Sequence, residues 1–254
     1  MKLLLLDIET APNKAYVWGL FDQNIASNQV EQSSYTLCWS AKWLGQSQTQ
    51  QASLRTVRDG AASRAHMQAM LKPIHALLDE ADVVVHYNGL KFDIPTLNKE
   101  FITHGFRPPS PYKQLDLLQV ARRAFRFQSN KLSNVSSALG IGRKIKTDFS
   151  LWVACMNGDQ KAWDRMLRYN AQDVRLLERL YRQLRPWIKA HPNFSAHDGK
   201  FSCPKCGSGH VKKQGFKVQI TRKYQRYQCQ SCGGWFRDNQ PVKMAGLKRG
   251  VNIT

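Results

Sequence analysis

A chain of 254 residues, 42% of them hydrophobic and with a mean hydropathy of −0.49, has apolar material for one sizeable domain plus a small appendage. The first apolar run, Leu3 to Leu6, is cut by Asp7 long before it reaches the length of a signal-peptide core or a bilayer span, so no membrane or secretory destination is expected and the expected location is cytoplasmic. Thirty-eight Lys and Arg against 18 Asp and Glu leave a formal charge of +20, which favours a polyanionic partner, most simply nucleic acid.

Residues 2 to 8 are a short apolar run ending in charge, which suits a strand buried on both faces with its acids at the end. Tyr35 to Leu44 and Gln50 to Val57 read as further strands. Ala61 to Asp79 carries Met67, Met70, Leu71, Ile74 and Leu78 at helical spacing, with Pro73 expected to disturb that helix. Asp82 to Tyr87 reads as another buried strand. Phe92 to His104, Leu115 to Phe125 and Leu132 to Leu139 read as helices, and the longest helix runs from Gln160 to Leu184 on a stripe of Trp163, Leu167, Val174, Leu177, Tyr181 and Leu184. Strands followed by helices, without repeats, indicate an α/β domain over residues 1–190. Residues 191–200 have linker chemistry, with Pro192, Asn193, Ser195 and Gly199.

The acids are arranged in a pattern. Asp7 and Glu9 lie two apart on one strand and so share a face, a ready pair of metal ligands. Asp93 follows the buried strand after the turn Asn88-Gly89-Leu90-Lys91, at a strand-to-helix edge where functional groups collect. Tyr169 and Asp173 are four apart and stack on one helix face. Oxygen ligands of this kind select Mg²⁺ or Mn²⁺, and two such cations can stabilise both the attacking and the leaving oxygen of an in-line phosphodiester displacement.

Asp-x-Glu on the first strand, Asn-x-x-x-Phe-Asp in the middle and Tyr-x-x-x-Asp on the last long helix resemble the three motifs of the DEDD 3′–5′ exonuclease superfamily, over residues 1 to about 185. The resemblance implies a ribonuclease-H-like fold, a mixed five-stranded sheet flanked by helices, and two divalent cations. It implies that Asp7 bridges both metals, that Glu9 and Asp173 complete the shell of the first, and that Asp93 holds the second, partly through water. It implies the tyrosine subtype, with Tyr169 orienting the attacking water, because the histidine subtype needs His where Arg168 stands. Thr10 and Asn88 are candidate contacts to the nucleic acid, Thr10 being equally suited to satisfying strand-end backbone. His86 reads as a structural histidine, Asp116 as a helix cap before a fifth acid, Lys91 and Lys146 as exposed lysines or phosphate contacts, and Cys38 and Cys155 as reduced core residues.

From Gly199 to Thr254 there are 12 Lys and Arg against Asp238 alone, a balance of +11 in 56 residues. Cys203-Pro-Lys-Cys206 and Cys229-Gln-Ser-Cys232, 22 residues apart, supply four thiolates in two tight turns, the donor set of a structural Zn²⁺. Strands over Val211 to Thr221 and Tyr224 to Gln228 complete a zinc ribbon at residues 201–240, followed by a basic tail at 241–254. The arrangement is similar to ribbons of transposase-associated proteins, which bind DNA or dock proteins. Lys212, Lys213, Lys217, Arg222, Lys223 and Arg226, interleaved with Phe216, Tyr224 and Tyr227, suit phosphate contact and base stacking. Tyr227 and Phe236 read as ribbon core. The expected activity is a metal-dependent 3′–5′ exonuclease preferring DNA to RNA, the alternatives being an exoribonuclease and an inactive nuclease-fold adaptor that binds nucleic acid, with the ribbon an alternative docking point for a protein.

Overall fold

The computed structural model of the chain describes residues 1–57 and 62–242, so the basic tail expected at 241–254 lies almost wholly outside the described residues. The chain divides into two compact units, Lys2–Tyr181 and the residues from Arg182 onward, the latter with Met1.

The larger unit is built on strands β1 (Leu3–Thr10), β2 (Lys14–Ala15), β3 (Val30–Gln32), β4 (Thr36–Trp43), β5 (Gln50–Ser53), β6 (Val83–His86) and β7 (Lys113–Asp116). Its helices are α1 (Arg64–Glu80), α2 (Asp93–Thr103), α3 (Leu117–Ala124), α4 (Leu132–Ala138), α5 (Phe149–Met156) and α6 (Gln160–Leu184). Five strands form one mixed sheet in the order β5-β4-β1-β6-β7, with β4 antiparallel and β6 parallel to β1. The expected ribonuclease-H-like sheet flanked by helices is therefore present. Leu4, Leu5 and Leu6 are fully buried because β1 is central, covered on both faces as its unbroken apolar run requires.

Pro73 does not break α1. The helix buries Met67, Met70, Leu71, Ile74, Leu77 and Leu78 along one face, and the Trp39 indole donates to the Met70 carbonyl at 2.8 Å, so core packing outweighs one missing amide donor. The helix expected over 115–125 begins two residues late, because residues 113–116 are strand β7, paired in parallel with β6 through His86↔Asp116. Asp116 then caps α3, its carboxylate accepting from the Leu118 amide at 3.0 Å. Helix α5 has no counterpart among the expected elements; Asp148 caps it by accepting from the Ser150 amide at 2.9 Å.

In the second unit the supposed linker contains helix α7 (Phe194–Asp198), capped by Asn193 and closed by Gly199 at φ 65°, so the turn-forming residues there are helix-end residues. Strands β8 (Val211–Val218), β9 (Lys223–Cys229) and β10 (Trp235–Arg237) form a three-stranded sheet in the order β10-β9-β8. Tyr227 stacks on Phe236 with ring centres 5.3 Å apart and meets Phe201 edge-on at 5.0 Å, the core of the small unit. Among the described residues no helix is long and apolar enough to cross a membrane.

Candidate active site

The acids at the end of β1 sit where the sheet opens. Parallel pairing with β6 covers Leu3 to Leu5 and then stops, and the register with β4 shifts between Glu9 and Thr10, a local irregularity of the kind that re-aims side chains beside functional sites. Asp7, Glu9 and Asp173 bring one carboxylate oxygen each to within 4.8 Å of one another. Asp173 comes from α6, one turn beyond Tyr169, because positions four apart share a helix face.

Asp93 is not one of the three. It is the first residue of α2 and almost fully buried, and its Oδ1 accepts from the Ile8 amide at 3.1 Å, a donor free to do so because β6 ends before it. Asp93 therefore ties α2 to the acid-bearing strand with one oxygen and raises the pKa of Asp7 by its charge. Asn88 lies in the turn before α2 at φ 69°, its amide donating to Asp116 Oδ1 at 3.0 Å. The turn is tight enough that a Cβ on Gly89 would come within 2.4 Å of the His86 ring. His86 is fully buried, accepts from the Gly89 amide, lies 3.1 Å from Gln114 Oε1, and has its pKa lowered by that burial, so it is a neutral structural residue.

Two residues of the cluster carried no motif. Lys144, in the segment between α4 and α5, places Nζ 2.6 Å from Asp173 Oδ2 and 3.2 Å from the Tyr169 hydroxyl. Asn170 donates from Nδ2 to Asp7 Oδ2 at 2.7 Å. Asn170 had a signal available, since it is three before Asp173 on the same helix. Lys144 had none beyond its charge, and it is this lysine, two residues before Lys146, that reaches the acids. Lys91 and Lys146 are exposed.

The electrostatics are those of crowded acids with too little positive charge. Burial first, then Asp93, Glu9 and Asp173, raise the Asp7 pKa well above the carboxylate range. Burial and Asp173 push Glu9 up to about 8, against the opposing pull of Lys144. Burial raises Asp93 to about 7, and raises Asp173 despite Lys144. Burial opposes the Lys144 ammonium, but Asp173 and Tyr169 outweigh it and raise its pKa, so it stays charged. Tyr169 is likewise raised, first by burial, and stays protonated. Oδ1 of Asp173 and Oδ1 of Asn170 are buried with no hydrogen-bond partner among the described residues. Clustered oxygen donors, excess negative charge and unpaired buried oxygens fit a hard divalent cation. Asp7 also lines a cleft of about 700 Å³ whose other lining residues include Asn88 and the cations Arg122, Lys131 and Lys144. Thr10 pairs with Thr36 at the end of β1.

In the second unit the four cysteines form a cluster of their own. Sγ of Cys203 is 3.7 Å from Cys232 and Sγ of Cys206 is 3.6 Å from Cys229. Four sulfurs about 2.3 Å from one zinc at tetrahedral angles stand about 3.8 Å apart. The Gly207 and Gly233 amides donate to the Cys203 and Cys229 carbonyls at 2.8 and 2.9 Å, closing two equivalent turns with both glycines at positive φ. Cysteine cluster and small sheet fit a zinc ribbon. Burial raises the Cys203 thiol and pushes Cys206 up to about 11, whereas at Cys229 amide hydrogen bonds from Cys232 and Ser231 outweigh burial and bring the thiol down to about 7. Lys212, Lys213, Lys217 and Arg222 are exposed along β8 and the following turn. Lys223 lies 3.8 Å over the Phe216 ring and Arg226 lies 4.8 Å over Trp235, so these two also brace the ribbon's own aromatics.

Residues 4–185 match the family model RNase_H_2, described as RNase_H superfamily. The chain belongs to the RNase H superfamily. The match spans the sheet and every element that carries the acids of the cluster, and RNase H superfamily membership supports nuclease chemistry there. The fold is similar to that of the family B DNA polymerase from the hyperthermophilic archaeon Pyrobaculum calidifontis, with a TM-score of 0.52 and 15% identity over 73% of this chain. The chain spans about a quarter of that polymerase, 24% of its length, and the likeness is one of fold. No curated protein matches the sequence.

Proposed function

We propose that the chain is a divalent-metal-dependent 3′–5′ exonuclease acting on DNA, of the tyrosine subtype that its motifs resemble, and that its cysteine module is a zinc ribbon that strengthens the hold on the strand. The observation that carries the reading is the meeting of Asp7, Glu9 and Asp173 within 4.8 Å, beside Tyr169 and a cleft lined by cations. Asp7, Glu9 and Asp173 are the residues to hold Mg²⁺ or Mn²⁺, and Asp93, against the same strand, is the residue to contribute to a second position. Bound divalent cations supply stabilisation for the charge that develops on the attacking and leaving oxygens.

The chain's own residues do the rest. Tyr169, kept protonated, accepts a hydrogen bond from Lys144 and lies against Asp173, so that its hydroxyl is held where it can orient water at the scissile phosphorus. Lys144, kept charged, offsets the acids and can shift an ammonium proton toward a phosphate oxygen as negative charge grows there. Asn170 fixes the Asp7 carboxylate by its 2.7 Å hydrogen bond, so that the strand's first acid has one orientation. Arg122 and Lys131 in the cleft wall, and Lys212, Lys213, Lys217 and Arg222 on the ribbon, offer phosphate contacts.

The test is turnover of labelled oligonucleotides. DNA labelled at its 5′ end should give a descending ladder only when Mg²⁺ or Mn²⁺ is added, and DNA labelled at its 3′ end should release mononucleotide from the first time point. Internal cuts on a circular single strand would refute the exonuclease reading, and faster digestion of the RNA of the same sequence would replace DNA by RNA as substrate.

A further inference from the structure

The excursion between β1 and β4 is anomalous for a soluble fold. Trp18, Leu20 and Phe21 are 97%, 89% and 85% exposed, and Tyr16 is exposed beside them, four large apolar side chains in six residues facing water. Scattered apolar residues at a surface need no explanation, but a contiguous group of this size marks an interaction site. The excursion has a hydrogen-bonded base. Strands β2 and β3 pair at Lys14↔Gln32 and Ala15↔Val30. The Tyr16 amide donates to the Gln29 carbonyl at 2.9 Å, and Gln29 returns a side-chain bond to the Tyr16 carbonyl at 3.1 Å. Gln23 closes the tip by donating to the Phe21 carbonyl at 2.8 Å. The base of the excursion is thus pinned by hydrogen bonds while its tip presents aromatics to solvent.

Where it is rooted indicates what those aromatics meet. The chain enters the excursion directly from Glu9 and Thr10, and the Ala11 amide bonds the Tyr35 carbonyl at 2.8 Å, pinning the loop's base to the acid-bearing end of the sheet. Lys14 is exposed at that base, whereas Lys99 beside it is engaged by the Ser34 carbonyl at 2.7 Å and by Glu100 at 3.0 Å. Exposed aromatic faces rooted at the acid-bearing end of the sheet, on a chain of charge +20, suit an unpaired strand, whose bases can stack on them while its phosphates meet cations elsewhere on the protein.

We infer that Trp18 and Phe21 form a stacking platform for unpaired bases of a single-stranded DNA whose terminus lies at the acid cluster. The inference rests on the nuclease reading for its substrate, and it assigns the loop a binding role distinct from the chemistry. The test measures the two separately. Full-length protein in EDTA is titrated against fluorescently labelled oligo(dT), with dissociation constants from anisotropy. Trp18→Ala and Phe21→Ala should each weaken binding by about 5- to 150-fold, the range one base–aromatic stack carries, with thermal unfolding unchanged because neither side chain is buried. Trp18→Phe, which keeps a π-face, should recover most of the affinity, whereas Trp18→Leu, which keeps only apolar area, should not. Unchanged affinity in both alanine variants would overturn the inference, as would full recovery by Trp18→Leu. A monomer–dimer equilibrium abolished by Trp18→Ala with DNA affinity unchanged would assign the loop to a second copy and overturn it also. Wild-type binding that depends on Trp18 without any hydrolysis would sink the exonuclease reading and leave the platform standing.

Discussion

Among the described residues Lys144 is the one cation within the acid cluster, and replacing it by methionine, of similar length but neutral, should expose how the site is balanced. Its Nζ is 2.6 Å from Asp173, with the lysine side chain 28% exposed and the carboxylate 2% exposed. At that distance and an effective dielectric of about 20 the attraction is about 6 kcal/mol, which desolvation of the two charges largely offsets. Removing one partner of a buried pair costs about 3–5 kcal/mol, and the partial exposure of the lysine lowers this to about 2–3 kcal/mol. At about 2–4 °C per kcal/mol for a chain of this size, Lys144→Met should lower the Tm by about 4–12 °C in EDTA at pH 8. The loss should shrink at pH 5.5, where Glu9, at about 8, and Asp93, at about 7, carry protons and less negative charge is left for Lys144 to offset, and it should shrink with millimolar Mg²⁺, which takes over the neutralisation. Calorimetry across the two pH values with and without Mg²⁺ reads all four cases. A Tm shift under 1 °C in EDTA at pH 8, or an equal shift with and without Mg²⁺, would refute the account of Lys144 as the cluster's internal counter-ion.

Metal-free protein should lose stability as pH rises. Glu9 at about 8 and Asp93 at about 7 bind protons in the folded state that the unfolded chain has released above about 4.5, so the contribution is full below that pH and lost through pH 7–8, a swing of a few kcal/mol that Mg²⁺ should suppress. A flat pH profile of unfolding in EDTA would contradict it. Asp93→Asn should keep the acceptor for the Ile8 amide and unfold near wild type, whereas Asp93→Ala should cost about 1–3 kcal/mol by orphaning that amide, and both should lose nearly all hydrolysis; chemical denaturation separates them. Replacing Lys212, Lys213 and Lys217 together by Gln should lower the slope of log K against log salt by about 2 on single-stranded DNA, at about 0.7 per lost phosphate contact, with single-turnover rates at saturation unchanged. An unchanged slope would assign the ribbon to protein docking. Cys229→Ser should behave like the triple variant by unfolding the ribbon, readable as loss of bound zinc and of the same salt slope.

The parts of this fold that were legible in the sequence are those in which periodicity runs long or chemistry constrains spacing. The 25-residue helix α6 carries its apolar stripe over seven turns, and its expected bounds are the observed ones. Strand β1 announced itself by four leucines followed by acids, because only a central strand buries an unbroken run. Strand β7 was unreadable for the opposite reason: four residues, Lys113 to Asp116, run straight into helix α3, and Leu115, Leu117 and Leu118 fit either period. Its status depends on pairing with β6, which is distant in sequence. The same holds in the site. Asp7, Glu9, Tyr169 and Asp173 could be placed on faces because each pair lies within one element. That Asp93 spends one oxygen on the Ile8 amide, and that Lys144 rather than Lys146 reaches Asp173, follow from where an edge stops and a loop turns, which no local pattern encodes. The exposed aromatics from Tyr16 to Phe21 were likewise invisible, since an apolar run reads as buried until its neighbours are known.

The central claim is that the acids at the end of β1 and on α6 form a metal-dependent hydrolytic centre. The most direct test is single-turnover hydrolysis of 5′-labelled single-stranded DNA by wild-type protein and by Asp7→Asn across a Mg²⁺ titration, with unfolding of both monitored in parallel. The account predicts a descending ladder in the wild type that appears only with Mg²⁺, no detectable ladder in Asp7→Asn at any concentration, and a variant that without Mg²⁺ unfolds at or above the wild-type temperature because an acid has been removed from a crowded cluster. Hydrolysis of equal rate in folded Asp7→Asn, or wild-type hydrolysis that persists in EDTA, would contradict it.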